Sequence, residues 1–384
     1  MSKIPLSKCF VNAEVEEAAL RAIRSGQYIL GKESTAFEAE LAAHTGTAQC
    51  VLGSSWTMIV YCLHQLQGIG PGDEIIVPSH TAFPTMEPLI HLGAKPVFAD
   101  IDETYVMDLA HVESLITPRT VGIIGVHLYG HPIDNDKLLA IAKKNKLWVI
   151  EDCAQAQGAK YKGKTVGTFG EISCFSFYPG KNLGACGEGG ALLTNNPAFD
   201  KRARALREHG STVRYYHDEV GYNYRMEGFQ GAVLGVKLKH LAKWTAERRR
   251  VAHRYHELLA GTPLQLPREA AYAESAYHVY VVRHPQRDQL KEYLDANGVG
   301  CALHYPLPLH LQKCYASLGY KNGDFPISEK AARECLSLPI FPGIKAEAGN
   351  FAERADNFAF VFRRVRLCGV LDERQFMFFA NREN

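Results

Sequence analysis

The sequence predicts an α/β protein with a large domain on a mostly parallel central sheet covered by helices, plus a smaller α+β domain toward the C-terminal end. Three observations predict it. From Gln49 onward, short apolar runs alternate with helix-like segments, the pattern of parallel strands linked by crossover helices. A long charged helical segment at 229–255 interrupts that alternation. The strand-like YHVYVVRH at 277–284 then opens a second, shorter succession of elements. The division falls near residue 235, giving a large domain at 1–235 with an entry helix, and a bridging helix with the small domain at 236–384.

The elements follow in order. Val15, Ala18, Ala19 and Ile23 stand at helical spacing and predict an entry helix over 12–25 with Gly26 as its C-cap. IIV at 75–77, PVFAD at 96–100, VGIIGV at 121–126 and LWVIED at 147–152 are strand runs. Between the last two, Asp134 caps a helix over 134–145 whose Leu138, Leu139 and Ile141 face inward, which makes a right-handed crossover. A strand ending at Phe177 leads into a glycine-rich loop, ALLTNN forms a further strand, and a basic helix follows at about 199–207. Residues 229–255 read as one long helix, with the charged run 247–250 on its solvated face rather than in a phosphate site. A helix near 288–296 and a turn at 297–300 belong to the small domain.

Composition narrows the function classes. The chain has 384 residues, 46% apolar and 22% charged, enough for a sizeable core. Its 43 basic and 41 acidic residues leave +2, which gives no electrostatic reason to expect a nucleic-acid partner. Small-molecule chemistry is the expectation. Ten cysteines, among them Cys9, Cys50, Cys62, Cys153 and Cys186, form no CxxC pair and no metal-like cluster with histidine, as in reduced thiols. No stretch approaches the ~18 apolar residues of a membrane helix, and the N-terminus lacks a signal-peptide pattern, so a soluble cytoplasmic protein is expected.

Lys181, in SFYPGKNLGACGEGG, carries the strongest chemical signal. An arbitrary lysine is usually a solvated surface group, but this one lies in a loop whose glycines let backbone approach a ligand closely. An amine used for covalent carbonyl chemistry must be partly deprotonated, which burial promotes. Asp152, in EDCAQAQGA, stands at the carboxyl end of a central strand, the edge where open α/β sheets bind ligands, although a helix N-cap aspartate reads the same way. Gln155 follows three residues later. In VLGSSWTM, Ser54 and Ser55 lie at a strand end before an apolar helix, a place suited to phosphate or to plain N-capping. Ser176 is a further phosphate donor candidate. His80, His127 and His209 are weighed for substrate contact, against the more common structural role of a lone histidine.

The order GSS, DETY, EDCAQ, SFYPGKN, GYNYRMEGFQGAVL and HYPLPLH resembles the sugar aminotransferase (DegT/StrS) family over about 11–342. The resemblance implies the type I aminotransferase fold and a 1–235 domain that binds pyridoxal 5'-phosphate, with pyridoxamine 5'-phosphate as its intermediate form. It implies Lys181 as the Schiff-base lysine, Asp152 as partner of the pyridine nitrogen and Gln155 beside the ring hydroxyl. Ser176 and the Ser54–Ser55 turn match phosphate ligands, and Asn223 of GYNYR matches an asparagine that reaches the phosphate of the neighbouring subunit. A homodimer with shared active sites follows from that. His304 and Tyr305 match a loop on the sugar-binding side.

Three departures stand out. TAFPT places Ala82 where the family usually stacks an aromatic on the cofactor ring, leaving Phe83 or Trp56 for that place. The turn reads GSS rather than SGT, so Gly53, Ser54 and Ser55 are all donor candidates. The tail from about Lys345, with RRVRLCGVLDERQFMFFANREN, is unlike the family's usual ending.

The activity implied is a ping-pong transfer from glutamate to a nucleotide-linked keto sugar, a dTDP-3-keto-6-deoxyhexose, in amino-sugar biosynthesis. Keto-inositol (scyllo-inosose type) aminotransferases of aminoglycoside biosynthesis share the motifs and form the second reading. Dehydratases on keto sugars share the fold but carry histidine in place of the lysine. A silent regulatory protein that only binds the cofactor is a third class, against which Lys181, Asp152 and Gln155 stand together.

Overall fold

The computed structural model describes residues 4–57 and 68–344. Cys62, most of the helix expected after the GSS turn, and the atypical tail lie outside the described residues. The strands of the first half are β1 (Gln49–Gly53), β2 (Glu74–Pro78), β3 (Lys95–Ala99), β4 (Thr120–Val126), β5 (Trp148–Asp152), the short β6 (Lys160–Tyr161) and β7 (Lys164–Thr165), then β8 (Ile172–Ser176) and β9 (Gly190–Thr194). Seven of them form one sheet in the order β1-β9-β8-β5-β4-β2-β3. Strands β8, β5, β4, β2 and β3 run parallel, and only β9 opposes its neighbours. The mostly parallel α/β expectation holds.

The sheet is buried on both faces, which is why its strands read as continuous apolar runs. Alternate residues enter different cores: Ile75, Val77, Ile124 and Ile150 join one, while Ile76, Val97, Ile123 and Val149 join the other. The crossover helix Asn135–Asn145 is capped by Asp134, whose Oδ1 accepts from Lys137 N–H at 3.2 Å, and it buries Leu138 and Ile141. The entry helix Ala13–Arg24 is capped by Asn12 and ends at Ser25, one residue before the expected glycine cap.

The long bridging helix is instead two helices, Gly228–Leu238 and Leu241–Leu259. The reason is that they serve different cores. Ala232, Val233 and Val236 pack on Val15, Ala18 and Ala22 of the entry helix, whereas Val251, Ala252, Tyr255 and Leu259 pack into the small-domain core. The tight turn at Lys239 and His240, with His240 N–H donating to Lys237 O at 3.0 Å, lets each helix face its own core.

The remaining strands are the hairpin β10 (Ser211–Val213) and β11 (Tyr216–His217), β12 (Ala273–Glu274) against β6, and the antiparallel pair β13 (Tyr280–Arg283) and β14 (Cys335–Leu338). The last pair carries the helices Arg287–Ala296 and Pro326–Glu334, as an α+β unit should. Ile4 and Leu6 also bond into this region, through Gly298, Gly300 and Ile340. Among the described residues no helix is long and apolar enough to cross a membrane.

Arg248 corrects the reading of a solvated charged run. It is 3% exposed, and its Nη1 donates to the carbonyls of Tyr277 (3.2 Å), His278 (3.1 Å) and Ile340 (2.9 Å). Arg249 pairs with Glu269 and donates to Ser275 O, so only the outer part of the run meets solvent freely. Burial lowers the Arg248 guanidinium to about 10. Replacing Arg248 with methionine is expected to cost about 3 kcal/mol in urea unfolding, because buried carbonyls lose their donor. A solvated residue would cost under about 0.5 kcal/mol.

Candidate active site

The parallel strands and β1 end on one edge of the sheet, where the main-chain direction places ligand sites in open α/β folds. Register sets the geometry: Gly53 pairs with Gly190, Gly190 with Ser176, and Asp152 with Cys174. A cavity of about 280 Å³ opens on this edge. Lys181, Asp152, Gln155, Ser176, Ser55 and Trp56 all line it, so residues far apart in sequence meet there.

Asp152 is 3% exposed. Burial pushes its carboxyl up to about 6, against the Ala154 N–H on Oδ1 (3.0 Å), the Thr85 hydroxyl on Oδ2 (3.0 Å) and the charge of Lys181. Lys181 is half-buried as a residue, its amine end being the part withdrawn from water. Desolvation lowers that amine to about 8, opposed by the Asp152 carboxylate. A desolvated amine and a desolvated carboxylate therefore share one cavity.

The serine turn is selective. Gly53 is held in the sheet and the Ser54 N–H is used on Tyr224 O at 2.7 Å, while Ser55 lines the cavity. Gly190 makes this possible: a Cβ there would lie 3.0 Å from the Ser55 carbonyl carbon and oxygen and from Trp56 Cα. Thr57, which sequence reading passed over, lines the cavity as well. Ser176 is buried, and its Oγ accepts from Tyr178 N–H at 3.3 Å.

Of the two aromatics expected on the ring, Trp56 lines the cavity with Ala82 and Pro84. Phe83 does not: it stacks on Tyr315, centroids 5.2 Å apart and planes 14° apart, because the turn after Ala82 sends it outward. Asn223 is exposed, holds Arg225 Nε at 3.0 Å and is not among the residues lining this chain's cavity. Tyr305 accepts from Gln155 Nε2 at 2.9 Å. Its neighbour His304 meets Ser337 Oγ at 2.8 Å, and burial with the Lys181 charge lowers it to about 4.

The three weighed histidines part company. His80 is buried with Nε2 on the Tyr129 hydroxyl at 2.8 Å, beside the site. His127 is structural, bonded to Glu151 at 3.0 Å, whose oxygens also take the N–H groups of Gly167, Phe169 and Gly170. His209 is exposed. Sequence reading missed Thr85, which holds Asp152, and Tyr129, whose N–H donates to Gln155 Oε1 at 2.8 Å. Tyr129 carried one signal, its place just beyond the carboxyl end of β4.

Residues 10–350 match the family model described as the DegT/DnrJ/EryC1/StrS aminotransferase family. A UDP-N-acetyl-3-dehydro-alpha-D-glucosamine 3-aminotransferase of Acidithiobacillus ferrooxidans is 44% identical over 321 residues, 83% of this chain and 86% of the relative. A dTDP-3-amino-3,4,6-trideoxy-alpha-D-glucose transaminase of Streptomyces venezuelae is 42% identical over 338 residues, 87% of this chain and 89% of the relative. Among solved structures, S. venezuelae DesV, in complex with a ketimine intermediate, superposes with a TM-score of 0.91 at 38% identity, over 97% of this chain and 100% of the other.

The cavity's electrostatics are testable without any ligand. Lys181 should react with an amine-selective acylating reagent with a midpoint near pH 8 instead of the ordinary 10.5, since the neutral amine is the reactive form and prevails above its own midpoint. Asp152→Asn removes the anion that favours the ammonium form, so it should move that midpoint lower still, read by peptide mass mapping across pH.

Proposed function

The chain belongs to the DegT/DnrJ/EryC1/StrS aminotransferase family, and we propose that it moves an amino group from glutamate to the third carbon of a nucleotide-linked keto sugar, with pyridoxal 5'-phosphate held at Lys181. One observation carries the reading: the lowered amine of Lys181 and the raised carboxyl of Asp152 line the same cavity as the hydroxyl-bearing Ser55 and Ser176.

That donor set fits the cofactor. A partly neutral amine suits covalent attachment to an aldehyde carbon. A desolvated carboxylate gains most from a cationic ring nitrogen, since burial has already removed its water. Hydroxyls of Ser55, Thr57 and Ser176 suit a phosphate, and Trp56 offers the flat apolar wall that Phe83 does not. When bound, pyridoxal phosphate supplies the carbonyl that condenses with amines and the ring that takes up the electron pair released at the substrate carbon.

The chain's own groups do the rest. Lys181 would anchor the cofactor, and once displaced its Nζ would take the proton from the amino donor's carbon and, as the ammonium, return it to the carbon on the far side of the transferred nitrogen, a shuttle that a midpoint near 8 suits at neutral pH. Asp152, anionic above about 6, keeps a positive charge on the ring side of the cavity. Gln155 offers its amide beside the ring. Asn223, exposed on its own protomer, serves the phosphate site of a second subunit in a homodimer. The activities named for the two relatives share a nucleotide sugar and an amine at its third carbon, which supports that substrate class. Lysine at 181, in place of a histidine, supports transfer over dehydration.

Native protein given the cofactor and glutamate should release 2-oxoglutarate, and Lys181→Ala should lower this by at least about a thousandfold, the scale on which loss of a nucleophile is felt. Absence of 2-oxoglutarate from the native chain would overturn the reaction. In a panel of acceptors, a nucleotide-linked 3-keto-6-deoxyhexose should exceed a keto-inositol in kcat/KM by about a hundredfold or more, and equal use of both would overturn the substrate class.

A further inference from the structure

Behind Gln155 lies a hydrogen-bonded set of side chains that the chemistry above leaves unused. His80 follows β2, Tyr129 follows β4, and His304 and Tyr305 come from one loop of the small domain. Tyr129 is the hub. Its N–H donates to Gln155 Oε1 at 2.8 Å, and its hydroxyl meets both His80 Nε2 at 2.8 Å and the carbonyl of His304.

The direction of each bond follows from counting protons. A carbonyl oxygen only accepts, so the single hydroxyl proton of Tyr129 goes to His304, and the His80 bond must be donated by Nε2–H. Burial lowers the His80 ring to about 4, which keeps it neutral with its one proton on Nε2. On the other side, Gln155 Oε1 is occupied by Tyr129, so Nε2 faces Tyr305 and donates to its hydroxyl. The proton of Tyr305 is thereby left for another oxygen, and burial pushes this hydroxyl up to about 12, so it stays protonated.

The backbone shows the same constraint. Tyr129 sits at φ +59°, a left-handed conformation that residues with a side chain rarely adopt and that persists where surroundings fix it. Gly130 follows at φ +94°, and a Cβ there would lie 3.0 Å from Tyr277 N and 3.1 Å from Gln155 O. The turn is wedged against Gln155 from both ends.

We propose that Tyr129 is a positioning residue whose main-chain N–H sets the Gln155 amide and whose hydroxyl, held by His80, sets the His304–Tyr305 segment, so that Tyr305 presents its proton to an oxygen of the molecule bound beside Gln155. This rests on the cavity being the cofactor and keto-sugar site. The acceptor oxygen belongs to the cofactor or to the sugar, and the two are separable by experiment.

Tyr129→Phe, Tyr305→Phe and the double variant are to be compared with the native chain for pyridoxal phosphate Kd, for the pH midpoint of the bound cofactor's absorbance, and for kcat and KM in each half-reaction. Each single variant should shift the same parameter by about tenfold, and the double variant no more than the larger single, because both act through one contact. A cofactor oxygen as acceptor shifts the Kd and absorbance midpoint, whereas a sugar oxygen shifts only the half-reaction with the keto sugar. Additive losses, or a lowered unfolding midpoint with every binding and kinetic parameter native, would overturn the proposal. Should Tyr129→Phe not fold, His80 decides: His80→Gln keeps an N–H donor and should behave as native, while His80→Leu should behave as Tyr305→Phe. Equal behaviour of those two also overturns it. A native chain that never acquires lysine-bound cofactor absorbance refutes the proposed function itself, a result distinct from native binding with indifferent variants.

Discussion

Two opposite charges deprived of water in one small cavity are the constraint around which this protein is organised. Asp152 would be an ordinary carboxylate and Lys181 an ordinary ammonium on the surface; at the carboxyl edge of the sheet each is pushed toward its neutral form, and each partly restrains the other. The downward shift of Lys181 is the direction that suits covalent amine chemistry at neutral pH, and Asp152, raised only to about 6, is still anionic there. Such a pair is costly to bury, so the surrounding chain must supply donors at fixed positions. Thr85 and the Ala154 N–H do this for Asp152.

The sheet supplies the fixed positions. Because β9 alone runs against its neighbours, Gly190 at its start is brought level with Gly53 and Ser176 at the ends of β1 and β8. The absence of a side chain at Gly190 then allows the Ser55–Trp56 turn to close over the same edge. Strand direction, one glycine and one serine turn thus act together, and none would suffice alone.

The second unit reaches the site through its loop at His304 and Tyr305 and is tied to the first by buried polar contacts. Asp100 Oδ1 accepts from the Ser328 N–H at 2.8 Å, and Asn182 Nδ2 donates to the Ala276 carbonyl at 3.1 Å. Tyr129 carries this linkage to Gln155 on the cavity wall, since it touches Gln155 with its backbone and the His304 carbonyl with its hydroxyl. Splitting the bridging segment into two helices serves the same end, because each half packs on a different core.

Sequence alone determined the alternation of strands and crossover helices, and it singled out Lys181, Asp152, Gln155 and Ser176, which the fold brings together in one cavity. These are legible because apolar period, capping residues and an amine among glycines are local signals. Tertiary structure alone decided that Ser55 and not Ser54 lines the cavity, that Phe83 turns to Tyr315 while Trp56 remains, that Arg248 is buried, and that Tyr129 is the hub behind Gln155. Each of those outcomes depends on which distant backbone or core a side chain meets, and helical propensity continues unchanged across Lys239 and His240. A tyrosine after a strand looks like any core aromatic until its φ and its partners, contributed by distant loops, are known.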